Sequence, residues 1–569
     1  MSKSAVIIGS GPAGSITAWA LAEAGWNVTV LERGRNLRPG FGQVASDKLG
    51  TLYGSDEIKG SRAFGFPDPL LEPTTGRSLS EANQGIDRSA VGYVTPMGAA
   101  VGGTALHYNA KFPRFWKQDF TMLSDLGPVN GAQVADWPIT YDDLAPFYDE
   151  VERVIGVQGD ITQMPESTLA QAPRKGQFVM PPNPTGYGAS LLAQGASRVG
   201  FKAYPYPAAV NSVTYAGRPA CNSCGLCSGF GCAINARGDA LVSFLNPAVL
   251  SGRVRVIERA FVYKIETSAD GRRGTAVRFK DQEGNERSIT ADKIIVAGSP
   301  IQSARLLLLS ANSKHPKGLG NSSDQVGRNF MLHNFTQGGA IFERDVQSLR
   351  AQSTTLQIDD LVGPFTGPEV QALGVPYVKG GLIQVGSGVT PLLEAMTYAG
   401  YSGFGAAHKQ LMQVSPLRRR VAGIQFVGED LPLATNRVDL DPEVKDIHGM
   451  PVARVTYSPH QHEKAAALLL GPRIAAMLQA TPGAIASAIL PNPLLSDSAP
   501  NTTFHQAGTV RMGSDPANSV CNKFGRLHDV DNVHVVDGSL FPTFPGFNPT
   551  LTILANALRI ARAMAAGQT

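Results

Sequence analysis

An α/β fold built around a Rossmann-like dinucleotide-binding unit is predicted by three observations near the N-terminus. These are the apolar run Ser4–Ile8, the glycine-rich turn that follows at once, and the helical pattern of residues 15–23. Strand, turn and helix in that order are how a parallel βαβ unit begins. A second apolar run, Asn27–Leu31, ends in Glu32, 18 residues beyond Gly14. An acid there accepts hydrogen bonds from an adenosine ribose and disfavours a 2′-phosphate.

Within Gly9-Ser-Gly11-Pro-Ala-Gly14 each glycine has its own task. Gly9 permits the tight turn, Gly11 lets the backbone approach a pyrophosphate, and Gly14 allows the helix to pack closely on the strand. Composition agrees with a large globular chain of two or three domains: 569 residues, 43% hydrophobic and 17% charged, with 62 Gly and 39 Pro. The net charge of +4 is spread without a basic block, so neither nucleic acid nor an anionic membrane surface is implied as partner. The longest apolar runs, 465–470 and 484–490, fall short of the ~20 residues of a membrane span. The start, Met-Ser-Lys-Ser, lacks the apolar stretch and cleavage site of a secretory signal, so the chain is expected to carry no export signal of its own.

Further motifs follow along the chain. Gly102-Gly103-Thr104 ends a Gly- and Ala-rich stretch whose backbone can lie flat against a bulky ring. Ile295-Val-Ala297-Gly298-Ser is a strand end in the middle of the chain. His505-Gln-Ala-Gly508-Thr-Val-Arg511-Met-Gly513 comes later, and residues 533–536 read as a strand ending in Asp537-Gly538-Ser539, suited to the ribityl and phosphate region of a flavin.

With these motifs in this order, over essentially its whole length, the chain resembles the glucose-methanol-choline (GMC) oxidoreductases. The resemblance implies bound FAD rather than NAD, and an FAD domain assembled from N-terminal, middle and C-terminal segments around an inserted substrate domain with an antiparallel sheet. The expected division is 1–329 for the first FAD-binding parts, 330–490 for the insertion and 491–569 for the last FAD-binding part. Strand-like stretches at 338–343, 380–385, 422–427 and 453–457 are expected to build the inserted sheet.

Oxidising an alcohol requires a base for the hydroxyl proton while hydride moves to the flavin N5. Imidazole suits that task because its unperturbed pKa of about 6.5 lies near working pH. His505 matches the family's catalytic histidine, and small Ala507 and Gly508 beside it leave room for substrate and flavin. Asn548 occupies the family's second catalytic position, 43 residues later. It cannot take a proton, but its amide can donate a hydrogen bond to the substrate oxygen. Cofactor contacts are expected at Gly9, Gly11, Gly14, Glu32, Gly102, Gly103, Thr104, His107, Ala297, Asp537, Gly538 and Asn548. His107 resembles the histidine by which pyranose oxidases and several sugar dehydrogenases tether FAD covalently; the same motif also surrounds non-covalent FAD.

Four of the five cysteines, Cys221, Cys224, Cys227 and Cys232, lie within twelve residues. The Cys-x2-Cys-x2-Cys portion repeats the spacing by which ferredoxin loops wrap a cluster, whereas structural zinc sites space two cysteine pairs farther apart. An iron-sulfur cluster held in the loop 218–240 is the expectation, with zinc, disulfides or free thiols as alternatives; Cys521 stands alone. The insertion narrows the resemblance to large subunits of bacterial gluconate, fructose and glucoside dehydrogenases. Those carry FAD and a cluster, commonly [3Fe-4S], although four cysteines also satisfy [4Fe-4S]. They pair with a small subunit bearing a twin-arginine signal and often with a cytochrome c, which implies periplasmic location by co-export, the cytoplasm being the alternative.

The implied reaction is oxidation of a secondary alcohol of a sugar or glycoside, such as C3 of a glucoside, with electrons leaving through the cluster to an external acceptor. Gluconate or another polyol as substrate, an oxygen-using oxidase, and a non-catalytic flavin electron-transfer subunit are the alternatives. Gln384, His408 and Gln425 are the polar residues of the insertion singled out for contact with sugar hydroxyls.

Overall fold

The structure, a computed structural model, describes residues 3–37, 70–92, 94, 97–225, 227, 229, 231–347, 350–388, 395, 398–400, 402–415, 417–490 and 503–569. Residues 226, 228 and 230 of the expected cluster loop and 491–502 at the start of the C-terminal part lie outside the described residues.

Its nucleus is a five-stranded parallel sheet of β1 (Ser4–Ile8), β2 (Asn27–Leu31), β3 (Val254–Ile257), β4 (Lys293–Val296) and β5 (Val533–Val535), in the order β5-β4-β1-β2-β3. The central strands are buried, which is why they read as unbroken Val, Ile and Leu runs rather than alternating ones. Ile7 of β1 sits between Val30 of β2 and Ile295 of β4 in register. Helix α1 (Pro12–Glu23) follows β1, α2 (Ser299–Leu309) follows β4, and α3 (Thr550–Ala565) closes the chain against α1. Parallel pairing leaves the carboxyl ends of β1, β4 and β5 side by side, the edge at which open α/β sheets bind ligands.

A second, six-stranded antiparallel sheet runs Ala484–Ile489, Asn334–Phe342, Val421–Gly428, Gly381–Ser387, Leu356–Ile358, Tyr204–Pro205. Helices Tyr187–Arg198 and Gln461–Gln479 cover it and share its apolar core. Three of the four expected strands lie in this sheet. The fourth does not: Pro451–Thr456 pairs with Arg437–Lys445 and, in parallel, with Thr74–Arg77, in a separate four-stranded sheet. The stretch does form a strand, but a strand-like pattern carries no information about which strand is the partner.

One short pairing matters most for the site. Met331–Leu332 lies antiparallel to Gln506–Ala507, with Met331 opposite Ala507 and Leu332 opposite Gln506. One further step of that register brings His333 beside His505.

Candidate active site

A cavity of about 660 Å³ opens at the carboxyl edge of the parallel sheet. Gly9, Gly11, Glu32, Gly103, Thr104, His107, Ala297, Asp537, Gly538, His505 and Asn548 all line it, although they come from four distant stretches of chain. Gly14 and Gly102 stand just behind the wall and shape it.

Steric detail shows why the turn needs its glycines. A Cβ on Gly14 would lie 2.0 Å from the Gly9 carbonyl oxygen, and one on Gly9 would lie 2.4 Å from that of Ala297. Gly103, at φ +64°, approaches so closely that its Cβ would fall 2.7 Å from Gly11 Cα. Gly11 differs: nothing lies within 4 Å of its Cβ position, so its backbone is open to the cavity. It also caps α1, whose first turn carries neither an acidic residue nor a side-chain cap, which leaves amide donors for phosphate oxygens. Glu32 accepts from Ser10 N at 3.0 Å, Ser10 Oγ at 2.7 Å and Gly34 N at 2.8 Å, and this holds its carboxylate at the cavity rim. Thr104 Oγ1 accepts from Gly98 N at 2.9 Å, fixing the second glycine segment. These residues fit the adenosine diphosphate portion of an FAD.

Asp537 has a different surrounding from its neighbours. Its buried carboxylate accepts from Ser299 N, Ser303 Oγ, Ser539 N and Ser539 Oγ at 2.5 to 2.9 Å, tying the end of β5 to the start of α2. The Gly538 backbone then borders the cavity.

At the other end of the cavity stands His505, half-buried. Its Nε2 faces Asn548 Nδ2 at 3.5 Å, the outer limit of a hydrogen bond, and its Nδ1 lies 2.9 Å from His333 Nδ1. Asn548 Oδ1 accepts from Gln384 Nε2 at 2.8 Å and from the Tyr206 hydroxyl. Gln384 Oε1 in turn accepts from the ammonium of Lys111. Burial pushes the Lys111 amine down to about 7. His333, Tyr206 and Lys111 were not legible in the sequence, because none belongs to a motif.

The second sheet supplies the remaining wall. Gln337, Gln425 and Gln384 stand directly opposite one another on three adjacent strands, and Gln357 continues the row. Cross-strand partners point to one face, so the amides form a ladder. Gln337 and Gln425 line the cavity. Gln384 lies behind Asn548. His408, by contrast, sits on the helix Ala406–Val414 against exposed Phe404 and is not among the residues lining the cavity.

The cysteine loop abuts the segment 103–107. Gly229 N donates to the His107 carbonyl at 3.0 Å, and the buried Arg237 guanidinium bridges the carbonyls of Leu106 and Cys227. Burial, with the neighbouring thiols acting in the same direction, pushes Cys221 up to about 11, and burial raises Cys227 as well. Among the described residues no three or more His, Cys, Asp or Glu side chains converge to hold a metal ion, so the four sulfurs as placed are not a closed ligand set. Cys521 is buried in the main core.

A glycine-cradled dinucleotide site joined to a His–Asn pair in the cavity wall defines a class: FAD-dependent oxidoreductases that act on alcohols. The chain belongs to the GMC oxidoreductase family, whose N-terminal domain matches residues 7–335 and whose C-terminal domain matches 432–557. It is 29% identical to 2-methyl-1,2-propanediol dehydrogenase of Mycolicibacterium austroafricanum, over 97% of this chain and 93% of that one. It is likewise 29% identical to the fructose dehydrogenase large subunit of Gluconobacter japonicus, over 99% and 98% of the two chains. Formate oxidase of Aspergillus oryzae RIB40 shares the fold, with a TM-score of 0.68 at 14% identity over 99% of this chain and 98% of the other.

Proposed function

We propose that this protein oxidises a secondary alcohol of a sugar or glycoside, such as C3 of a glucoside, to the ketone, and works as a dehydrogenase. The observation that carries this reading is the pair of glutamine amides, Gln337 and Gln425, that line the cavity holding His505 and Asn548. Each amide both donates and accepts, and strands about 4.8 Å apart space such groups on the scale of a sugar ring. Bound FAD would supply the hydride acceptor. His505 takes the hydroxyl proton, and Asn548 Nδ2 holds the substrate oxygen beside it. Similarity to a fructose dehydrogenase large subunit supports the same class and a smaller partner subunit.

The test is anaerobic mixing of the flavin-loaded protein with sugars, glycosides, polyols and simple diols while flavin bleaching is followed. A sugar or glycoside is expected to bleach fastest and give a keto product. Bleaching by simple diols alone would overturn the sugar reading, and peroxide matching turnover in air would make the enzyme an oxidase. Gln425→Leu is expected to raise KM for the best substrate roughly 5- to 10-fold, the worth of one hydrogen bond, with little change in kcat.

His505 is pushed down to about 3 by burial, with the charge of Lys111 adding to the effect. Its imidazole is therefore neutral, and able to take a proton, above that pH. The acid limb of the flavin-reduction rate is expected well below the ordinary histidine value of about 6.5. Rapid mixing across pH 4 to 8 checks this, and a limb near 6.5 would contradict it.

The proposal extends to the cysteines. Their ferredoxin-like spacing and the attachment of their loop to Leu106 and His107 support an iron-sulfur group there, which would offer electrons a one-electron exit to an external acceptor. Cluster binding requires the four sulfurs to draw together, so the reading rests on spacing and position. Iron analysis and electron paramagnetic resonance of the protein as isolated are expected to show iron; zinc alone, or no metal, ends it. His107 borders the cavity, and we propose that it tethers the flavin; acid denaturation is then expected to leave the yellow colour on the polypeptide.

A further inference from the structure

We propose that His333 is a positioning residue that fixes the tautomer of His505, so that Nε2 rather than Nδ1 presents its lone pair to the substrate. This rests on His505 being the base.

The Pro545 carbonyl can only accept a hydrogen bond. His333 Nε2 lies 2.9 Å from the Pro545 carbonyl oxygen, so the proton of the neutral His333 ring sits on Nε2. Burial, with His505 adding, holds His333 well below the ordinary histidine range, which keeps it neutral. Its Nδ1 is then an acceptor, and the nitrogen 2.9 Å away, His505 Nδ1, must carry the proton between them. The lone pair of His505 is left on Nε2, toward Asn548 and the cavity.

The opposite side gives the same answer. The Lys111 ammonium donates to Gln384 Oε1, so the Gln384 amide nitrogen points at Asn548 Oδ1, and the Asn548 amide nitrogen points at His505 Nε2. A proton on Nε2 would meet a donor; a lone pair meets a partner. Two independent chains of bonds, one ending on a carbonyl and one on a lysine, therefore specify the same tautomer.

His333 is itself held. Its ring stacks on Phe544 with centroids 3.7 Å apart and 10° between planes, and its backbone N–H donates to the His505 carbonyl at 3.3 Å. Phe335 closes the edge of the His505 ring at 5.0 Å. The charged or titratable groups acting on the pair are Lys111 on His505 and His505 on His333.

His333→Asn and His333→Leu have one shape and differ in whether they accept from His505 Nδ1. With the best substrate of the anaerobic panel, the Leu variant is expected to lose ~100-fold in kcat for flavin reduction, with KM and flavin content near native. The Asn variant is expected to recover at least tenfold of that loss. If the Leu variant does not load flavin, His333→Phe, which keeps the stack on Phe544, takes its place. Equal loss in Asn and Leu variants, or native turnover in the variant without an acceptor, overturns the proposal. His505→Ala measured alongside separates the two levels: native turnover in that variant sinks the base itself, whereas its collapse with Asn and Leu alike at position 333 sinks only the positioning role.

Discussion

Replacing His505 by alanine is expected to slow flavin reduction by about 10²- to 10⁴-fold while the protein stays folded and flavin-loaded. The imidazole is neutral at neutral pH and turns its Nε2 toward Asn548 and the cavity, where it can take a proton. Asn548 is an amide, and the Lys111 amine is turned toward Gln384. Nor does His505 hold the dinucleotide end of the cavity, where the glycine turn and Glu32 lie. Loss of colour and loss of turnover should therefore separate. Asn548→Ala removes a hydrogen-bond donor from the substrate oxygen but leaves the base, so roughly tenfold is expected there. It also frees the Tyr206 hydroxyl and the Gln384 amide, which water can satisfy in a cavity of this size. Stopped-flow reduction of the two variants under one set of conditions decides the matter; equal losses in correctly loaded protein would contradict the division of roles.

How far the sequence reveals such a site depends on how local its determinants are. The strand, glycine turn and helix at the N-terminus are specified by neighbours, and Ser4–Ile8 and Asn27–Leu31 form the strands predicted for them. The helix begins three residues earlier than its apolar pattern, because Pro12 at the first helical position extends it back to Gly11. His505 and Asn548 were readable because each lies in a motif of small residues. His333 was not, since a two-residue strand pairing across 172 positions brings it to His505 and nothing in Leu332-His333-Asn334 hints at that partner. Lys111 is a second case: a lysine is ordinarily a surface residue, and only the assembled cavity shows it buried with an amide for company. The glutamine ladder is intermediate. Gln384 and Gln425 stood out as polar residues in apolar strands, but the register that lines them up with Gln337 is a tertiary fact.

The other large effect expected concerns two glycines three residues apart, whose replacement by alanine should fail in different ways. At Gly14 a methyl would be driven to 2.0 Å from the Gly9 carbonyl oxygen and 3.3 Å from the Ala297 side chain. Backbone cannot yield that much without separating α1 from β1, so Gly14→Ala is expected to cost the fold of the nucleotide domain, seen as insoluble or cofactor-free protein with a lowered Tm. At Gly11 the backbone has φ −64°, which alanine adopts freely, and no atom lies within 4 Å of the new methyl. The apo fold should tolerate it, with Tm within a few degrees of native. That open space, however, is where the backbone must come close to a pyrophosphate, and the methyl keeps phosphate oxygens from the amides of the first turn of α1. Gly11→Ala is therefore expected to fold normally and lose most of its flavin affinity, measured by equilibrium titration of apoprotein with FAD. Native affinity in Gly11→Ala would mean that the dinucleotide does not lie along this turn. A normal Tm in Gly14→Ala would mean that the helix and strand are not packed as closely as the geometry requires.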